Sequence, residues 1–262
     1  MNEVITYRWT FEEDVRRYSK AGYQAIGVWR QKLADFGEEE GVDLLAASGL
    51  RVTNLLWAGG FTGSDGRSLD DAIEDALHAV RLAGAMNAGC LVVYTGGRNN
   101  HTFRHAERLL RIALEQVISL AEAADVVLAL EPMHPACASE WTFLTDLEST
   151  LALVESYQSP NLKMVFDAFH FGHDEAVLAN LSEIVTLADL SPNMRSIMGF
   201  LPREKRIAKG FPSLEVTRSP SSYGFLPVPM AAQVGLPSLQ VTRSPISYGF
   251  PPISYGCPGG VA

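Results

Sequence analysis

Short apolar runs alternate with longer amphipathic stretches along the first 190 residues of the chain. The runs are nearly continuous in apolar character and rich in β-branched and aromatic residues, which is typical of parallel strands covered on both faces. The six runs are residues 4–9, 25–30, 51–57, 90–95, 126–131 and 162–168. Helical spacing of apolar residues is found at residues 10–22, 69–87, 105–124 and 144–159. This alternation predicts a parallel α/β fold with right-handed crossovers.

Polar and aromatic residues collect at the C-terminal ends of the predicted strands. They are Trp9, Trp29, Trp57, Tyr94, Glu131 and Asp167. Such a concentration is typical of a (β/α) barrel, whose functional groups lie at that end. A doubly wound open sheet is the alternative, but it usually has a glycine-rich phosphate turn after its first strand, and the first run here ends without a glycine. We therefore predict a (β/α)8 TIM-barrel type fold of which about six βα units are present.

The composition changes near residue 190. Residues 1–190 contain 28 acidic and 14 basic residues, whereas residues 191–262 contain 2 acidic and 7 basic ones and 11 of the 14 prolines. Within this second part, residues 210–227 recur as residues 235–252, which is too few copies for a solenoid. We predict a partial barrel domain over residues 1–190 and a largely disordered, irregular tail rich in Pro, Gly and Ser over residues 191–262.

The net charge and the cysteine content limit which partners and which cellular location the protein is expected to have. The acidic first part disfavours nucleic acid as a partner, because phosphate binding needs clustered basic residues. No apolar run is long enough for a membrane span, and the N-terminus lacks the pattern of a signal peptide. Three widely spaced cysteines without a CxxC pair indicate reduced thiols, so we expect a cytoplasmic protein. A partial barrel has unpaired strand edges, which could pair with a second copy of the chain. A homo-oligomer is therefore one expected state.

Two acidic residues lie at the rims of neighbouring predicted strands. Glu131 ends one strand and is followed by Pro132 and Pro135, which stiffen the backbone. Asp167 ends the next strand, one βα unit later. Two carboxylates in such positions would repel each other unless a cation lay between them, and a divalent metal ion would serve. An arginine partner for Glu131 and a helix N-cap role for Asp167 are the structural alternatives.

Histidines follow both acidic residues. His170, three residues after Asp167, can reach the same cavity, and imidazole together with carboxylates suits Mn, Co, Zn or Mg. For His170 and for His134 the alternative is that the side chain orients a loop. The sequence therefore predicts a divalent metal site that contains Glu131 and Asp167.

At these residues the chain resembles the xylose isomerase-like TIM-barrel superfamily. The residues that carry the resemblance are "ALEPMHP" at 129–135, "FDAFHFG" at 166–172 and the order of "AGYQAIGVW", "LVVYTGG" and "LAEAADVVLALEP". The superfamily comprises sugar isomerases and epimerases, and also inosose dehydratases and family 2 apurinic endonucleases. The likeness covers about residues 2–190.

The resemblance implies a metal-dependent isomerase or epimerase that acts on a small-molecule sugar or sugar derivative. It moves a proton next to a carbonyl through an enediolate. By match of motif, Glu131 would be a metal ligand and catalytic base, Asp167 a metal ligand, and His170 a catalytic contact to a substrate oxygen. We add His134 and Trp9 as substrate-binding residues.

The resemblance also implies a histidine and a glutamate from two later strands. Neither is evident in the sequence, so the predicted metal site is incomplete. Two other functions therefore stay open. The chain could be a non-catalytic, truncated barrel that keeps sugar or metal binding, or a dehydratase of inosose-type polyols.

Overall fold

The computed structural model describes residues 1–138 and 140–172. Its strands are β1 (Ala25–Trp29), β2 (Arg51–Gly59), β3 (Leu91–Tyr94), β4 (Leu128–Leu130) and β5 (Leu162–Met164). Its helices are α1 (Phe11–Lys20), α2 (Arg30–Phe36), α3 (Glu38–Ser48), α4 (Leu69–Ala85), α5 (Phe103–Ala123), α6 (Pro135–Ala138), α7 (Leu147–Glu155) and α8 (Ala168–Phe171). The boundary predicted at residue 190 and the predicted tail over residues 191–262 lie outside the described residues.

The strands form one parallel sheet in the order β1-β2-β3-β4-β5, and each strand pairs with its neighbour in the chain. At least one helix connects each strand to the next. A doubly wound sheet would reverse its strand order at a switch point, and the described strands show no reversal. The structure therefore confirms the predicted α/β fold of TIM-barrel type.

The strand predicted at residues 4–9 is wrong. Residues 3–8 form turns, and Asn2 makes an isolated parallel bridge with Gly27 of β1. The main-chain N–H of Trp29 donates instead to the side-chain Oε2 of Glu3, at 2.7 Å. The Glu3 side chain thus accepts the hydrogen bond from Trp29 of β1 that the backbone of a neighbouring strand would otherwise accept. Residues 3–8 form turns beside it.

The two faces of the sheet belong to different cores. One face packs against the helices through residues such as Leu91, Val93, Leu128 and Leu130, and the other forms a smaller cluster of Leu56, Cys90, Val92, Ala129 and Val165. Side chains alternate between faces along a strand. Glu131 therefore continues the face of Ala129, and Asp167 continues the face of Val165. Both carboxylates are directed towards the interior side of the sheet, at the C-terminal ends of neighbouring strands.

Local sequence signals explain where the elements begin and how they approach each other. Thr10 caps α1 and forms a capping box with Glu13. Gly59, at the end of β2, has a φ of +135°, and a Cβ atom there would lie 1.8 Å from the carbonyl oxygen of Tyr94. Only glycine fits this close approach of β2 to β3 at the rim.

Candidate metal centre

Glu131 lies at the rim directly after β4. Its main-chain N–H donates to the carbonyl oxygen of Val93 at 3.0 Å, which continues the pairing with β3. The residue is only 8% exposed, and its Oε2 atom accepts a hydrogen bond of 3.0 Å from the indole N–H of Trp57. Burial, and next the negative charge of Asp167, raise the pKa of Glu131 to about 7, although the Trp57 hydrogen bond opposes the shift.

Asp167 is fixed by the backbone that follows it. Its Oδ1 accepts from the N–H of Phe169 at 2.8 Å, and its carbonyl oxygen accepts from the N–H groups of His170 and Phe171, both at 3.1 Å. Asp167 thus makes the hydrogen bonds of a helix N-cap at the start of α8, as the structural alternative for this residue expected. These bonds also fold the chain back sharply, which brings His170 beside the carboxylate.

Glu131, Asp167 and His170 form a group with the composition of a metal site. Each offers one ligand atom, and these atoms all lie within 4.8 Å of one another. Two ligands that bind one ion at about 2.0–2.2 Å are necessarily separated by roughly 4 Å or less. The bound of 4.8 Å exceeds that limit by less than about 1 Å, so a small rotation of these side chains would let all three bind a single cation.

His170 adds a second observation that fits a cation. Its Nδ1 atom is buried and has no hydrogen-bond partner among the described residues, and such a group normally costs free energy. Burial, and to a smaller extent the charge of His134, lower the pKa of His170, while Asp167 acts in the opposite direction. Neutral imidazole is the form that binds metals, so the residues present fit a divalent ion.

The two other predicted site residues have different surroundings. His134 is exposed, and its Nδ1 accepts from the N–H of Ala136 at 3.2 Å. The ring of Trp9 packs on α1, where the guanidinium of Arg17 lies 4.4 Å from its centroid. The structure thus brings three of the five predicted residues together as possible ligands. For His134 and Trp9 a role in substrate binding stays a prediction.

An aromatic group beside Glu131 was not predicted as part of the site. The ring of Trp141 lies 5.8 Å from Trp57 and 5.6 Å from Tyr94, between centroids. Trp57 and Tyr94 have a sequence signal, since both come at the ends of strands. Trp141 has none, because it lies in a loop whose path depends on the tertiary structure.

The chain matches the family model described as xylose isomerase-like TIM barrel over residues 15–197. No curated protein matches it. Among solved structures, protein SMc04130 from Sinorhizobium meliloti 1021 is 29% identical with a TM-score of 0.65, and the match covers 76% of this chain and 70% of that one.

Two further solved structures show the fold alone, because their sequences are distant. The 3-keto-D-glucoside 4-epimerase YcjR from E. coli has a TM-score of 0.56 at 13% identity, with 72% of each chain covered. The IOLI protein, solved with a binding zinc atom, has a TM-score of 0.56 at 20% identity, with 65% of this chain and 63% of that one covered. Within the part of the chain that the structure describes, no helix has the length and apolar character to cross a membrane.

Proposed function

We propose that this chain, which belongs to the xylose isomerase-like TIM barrel family, is a metal-dependent sugar isomerase or epimerase. The observation that carries the proposal is the group of Glu131, Asp167 and His170, whose ligand atoms lie within 4.8 Å of one another at the rim of neighbouring strands. A related protein of the same fold acts as a sugar epimerase and another holds zinc, which supports both parts of the proposal.

In this proposal Glu131 and Asp167 hold the ion, and Glu131 also moves the proton. When bound, a divalent ion supplies positive charge that stabilises a negative charge developing on a substrate oxygen. Without a metal ion the pKa of Glu131 is about 7, which is near the range where a general base acts best, and a bound cation would favour its ionised, proton-accepting form. It would remove a proton from the carbon next to a carbonyl and return it to the enediolate of the sugar.

His170 has the role of contacting a substrate oxygen, and His134 and Trp9 would contact other parts of the sugar. His170 is held beside Asp167 by main-chain bonds, so its position does not depend on a flexible loop. The ion could be Mn, Co, Mg or Zn, since carboxylate and imidazole ligands suit all four.

The partners and the location of the protein are part of the proposal. A small-molecule sugar or sugar derivative is the partner that the site would bind, and we propose a cytoplasmic location without a nucleic-acid partner. Cys90 is a free, buried thiol, which fits a reducing compartment. A homo-oligomer stays a proposal that sedimentation of the full chain would test.

Metal titration by calorimetry tests the first half of the proposal. The wild type should bind Mn²⁺ or Co²⁺ at micromolar concentration, and Glu131→Gln should abolish this binding. Glu39→Gln removes the same charge from an exposed position of α3 and should leave binding unchanged. An equal affinity of wild type and Glu131→Gln would show that Glu131 is not a ligand.

Solvent exchange tests the second half without knowledge of the substrate. The metal-loaded protein is incubated in D₂O with a panel of aldoses and ketoses, and NMR detects deuterium at the carbon next to the carbonyl. Exchange should occur with at least one sugar and should be lost in Glu131→Gln. Metal binding without exchange on any sugar would favour the non-catalytic barrel instead.

A further inference from the structure

The indole N–H of Trp57 and the carboxylate of Glu131 are joined across two strands. Trp57 belongs to β2 and Glu131 follows β4, so β3 lies between them in the sheet. The hydrogen bond from Nε1 of Trp57 to Oε2 of Glu131 measures 3.0 Å. Side chains from alternate strands meet in this way within one layer of a barrel interior. The bond therefore depends on the curvature of the sheet, which brings β2 and the end of β4 together, and not on the conformation of one loop.

We propose that Trp57 is a positioning residue that orients the Glu131 carboxylate for metal binding, a role that rests on the proposed metal site. An indole N–H donates a hydrogen bond and can neither accept one nor bind a metal ion. It therefore holds Oε2 on the side of β2. The second oxygen, Oε1, is then left for a cation shared with Asp167 and His170, and Glu131 would bind it through that oxygen.

Trp57 is held through its backbone and through its ring. The carbonyl oxygen of Trp57 accepts from Nη1 of Arg30 at 3.0 Å, and Arg30 is fixed by two hydrogen bonds of 3.2 and 2.8 Å to the carboxylate of Asp75. On the ring side, the centroid of Trp141 lies 5.8 Å away at an interplanar angle of 48°. Trp141 also accepts, through its carbonyl oxygen, a hydrogen bond of 2.9 Å from the N–H of Gly96.

This support has a consequence for Glu131. A carboxylate at the end of a side chain with three rotatable bonds is not fixed by its own backbone, and a donor on a rigid ring is an effective way to select one orientation. Partners that orient a ligand in this manner typically change metal affinity by about 10- to 100-fold when they are removed. That range is the effect we expect for loss of the indole N–H.

Two phenylalanine variants of the full chain separate the hydrogen bond from ring packing. Trp57→Phe removes the N–H donor to Glu131, while Trp141→Phe removes an indole N–H from the adjacent ring without touching the carboxylate. Titration with Co²⁺ should show an affinity about 10- to 100-fold lower for Trp57→Phe and close to wild type for Trp141→Phe. The absorption spectrum of bound Co²⁺ should also change in Trp57→Phe, because a freed carboxylate can bind through both oxygens. Equal affinities of Trp57→Phe and wild type, or equal losses in both variants, would overturn the positioning role.

A measurement on the metal-free protein tests the hydrogen bond independently of the metal site. In a ¹⁵N-labelled sample the indole proton of Trp57 should exchange slowly with solvent. Glu131→Met removes the acceptor at similar side-chain length and should make this exchange faster, while the other three indole protons keep their rates. An unchanged rate for Trp57 would overturn the inference even if metal binds. If the rate changes but the wild type binds no metal, the proposed function fails and the positioning role for a metal fails with it, while the hydrogen bond itself is established.

Discussion

Replacement of Glu3 by glutamine should stabilise the protein above neutral pH. Glu3 is fully buried, and its Oε1 atom has no hydrogen-bond partner among the described residues. Burial raises the pKa of Glu3 to about 8, the N–H of Trp29 opposes the shift, and the negative charge of Asp14 adds to it. The protonated form is therefore the one that the folded state prefers, and a neutral glutamine imitates it while keeping an acceptor for Trp29.

The sign and the size of the effect follow from linkage. Because the pKa of Glu3 is higher in the folded state than its ordinary value of 4.5, the stability that it contributes is complete below that value and is lost as the pH rises towards about 8. The difference of about 3.5 pKa units, at about 1.4 kcal/mol for each, limits the loss to roughly 5 kcal/mol. Above pH 8 the loss is complete and constant.

Urea unfolding at pH 5, 7 and 9 measures the loss of stability that ionisation of Glu3 causes. The free energy of unfolding of Glu3→Gln relative to wild type should increase from pH 5 to pH 9 by a few kcal/mol, at an unchanged dependence on urea. Glu39→Gln, in which an exposed acid of α3 is neutralised, should show no such increase. A difference between Glu3→Gln and wild type that stays constant from pH 5 to pH 9 would mean that Glu3 is ionised in the folded protein.

Two further predictions concern packing. Gly59→Ala should lower the free energy of unfolding by several kcal/mol, because its Cβ would meet the carbonyl oxygen of Tyr94. Gly66→Ala is the control, since Gly66 has a φ of +86° and a Cβ there would have no atom within 4 Å; it should cost about 1 kcal/mol. Similar losses for the two variants in urea unfolding would contradict the clash. Leu110→Ala, at a fully buried position of α5, should lower the free energy of unfolding by about 2–5 kcal/mol. The affinity for Co²⁺ should stay unchanged. A loss of metal binding in the folded variant would show that the helix layer and the rim are coupled.

The parallel strands were predictable because both of their faces are covered. The runs that contain β2 to β5 are apolar almost without interruption, which is a strong signal whatever the tertiary contacts. The run at residues 4–9 has the same apolar character, yet its backbone forms turns. The Glu3 side chain in this region accepts a hydrogen bond from the main-chain N–H of Trp29 in β1, a contact between distant residues that no local pattern contains.

The site was predictable in part for a similar reason. Glu131 and Asp167 follow neighbouring strands with the right parity, so their convergence follows from the strand pattern alone. His170 was within reach because only two residues separate it from Asp167. The hydrogen bond from Trp57 crosses β3, and the position of Trp141 depends on a loop. Both need the curvature of the sheet, which a linear sequence does not reveal.

The pairing of β4 with β5 sets Ala129 opposite Lys163 and Leu130 opposite Met164. Had the two strands slipped by one residue, Phe166 would occupy the interior position of Asp167, and the carboxylate would be turned towards the helices. Natural relatives that keep Asp167 can therefore exchange amino acids in the segment from 162 to 166 far more readily than they can gain or lose one. We expect insertions and deletions among functional homologues to be confined to the connections on either side of it.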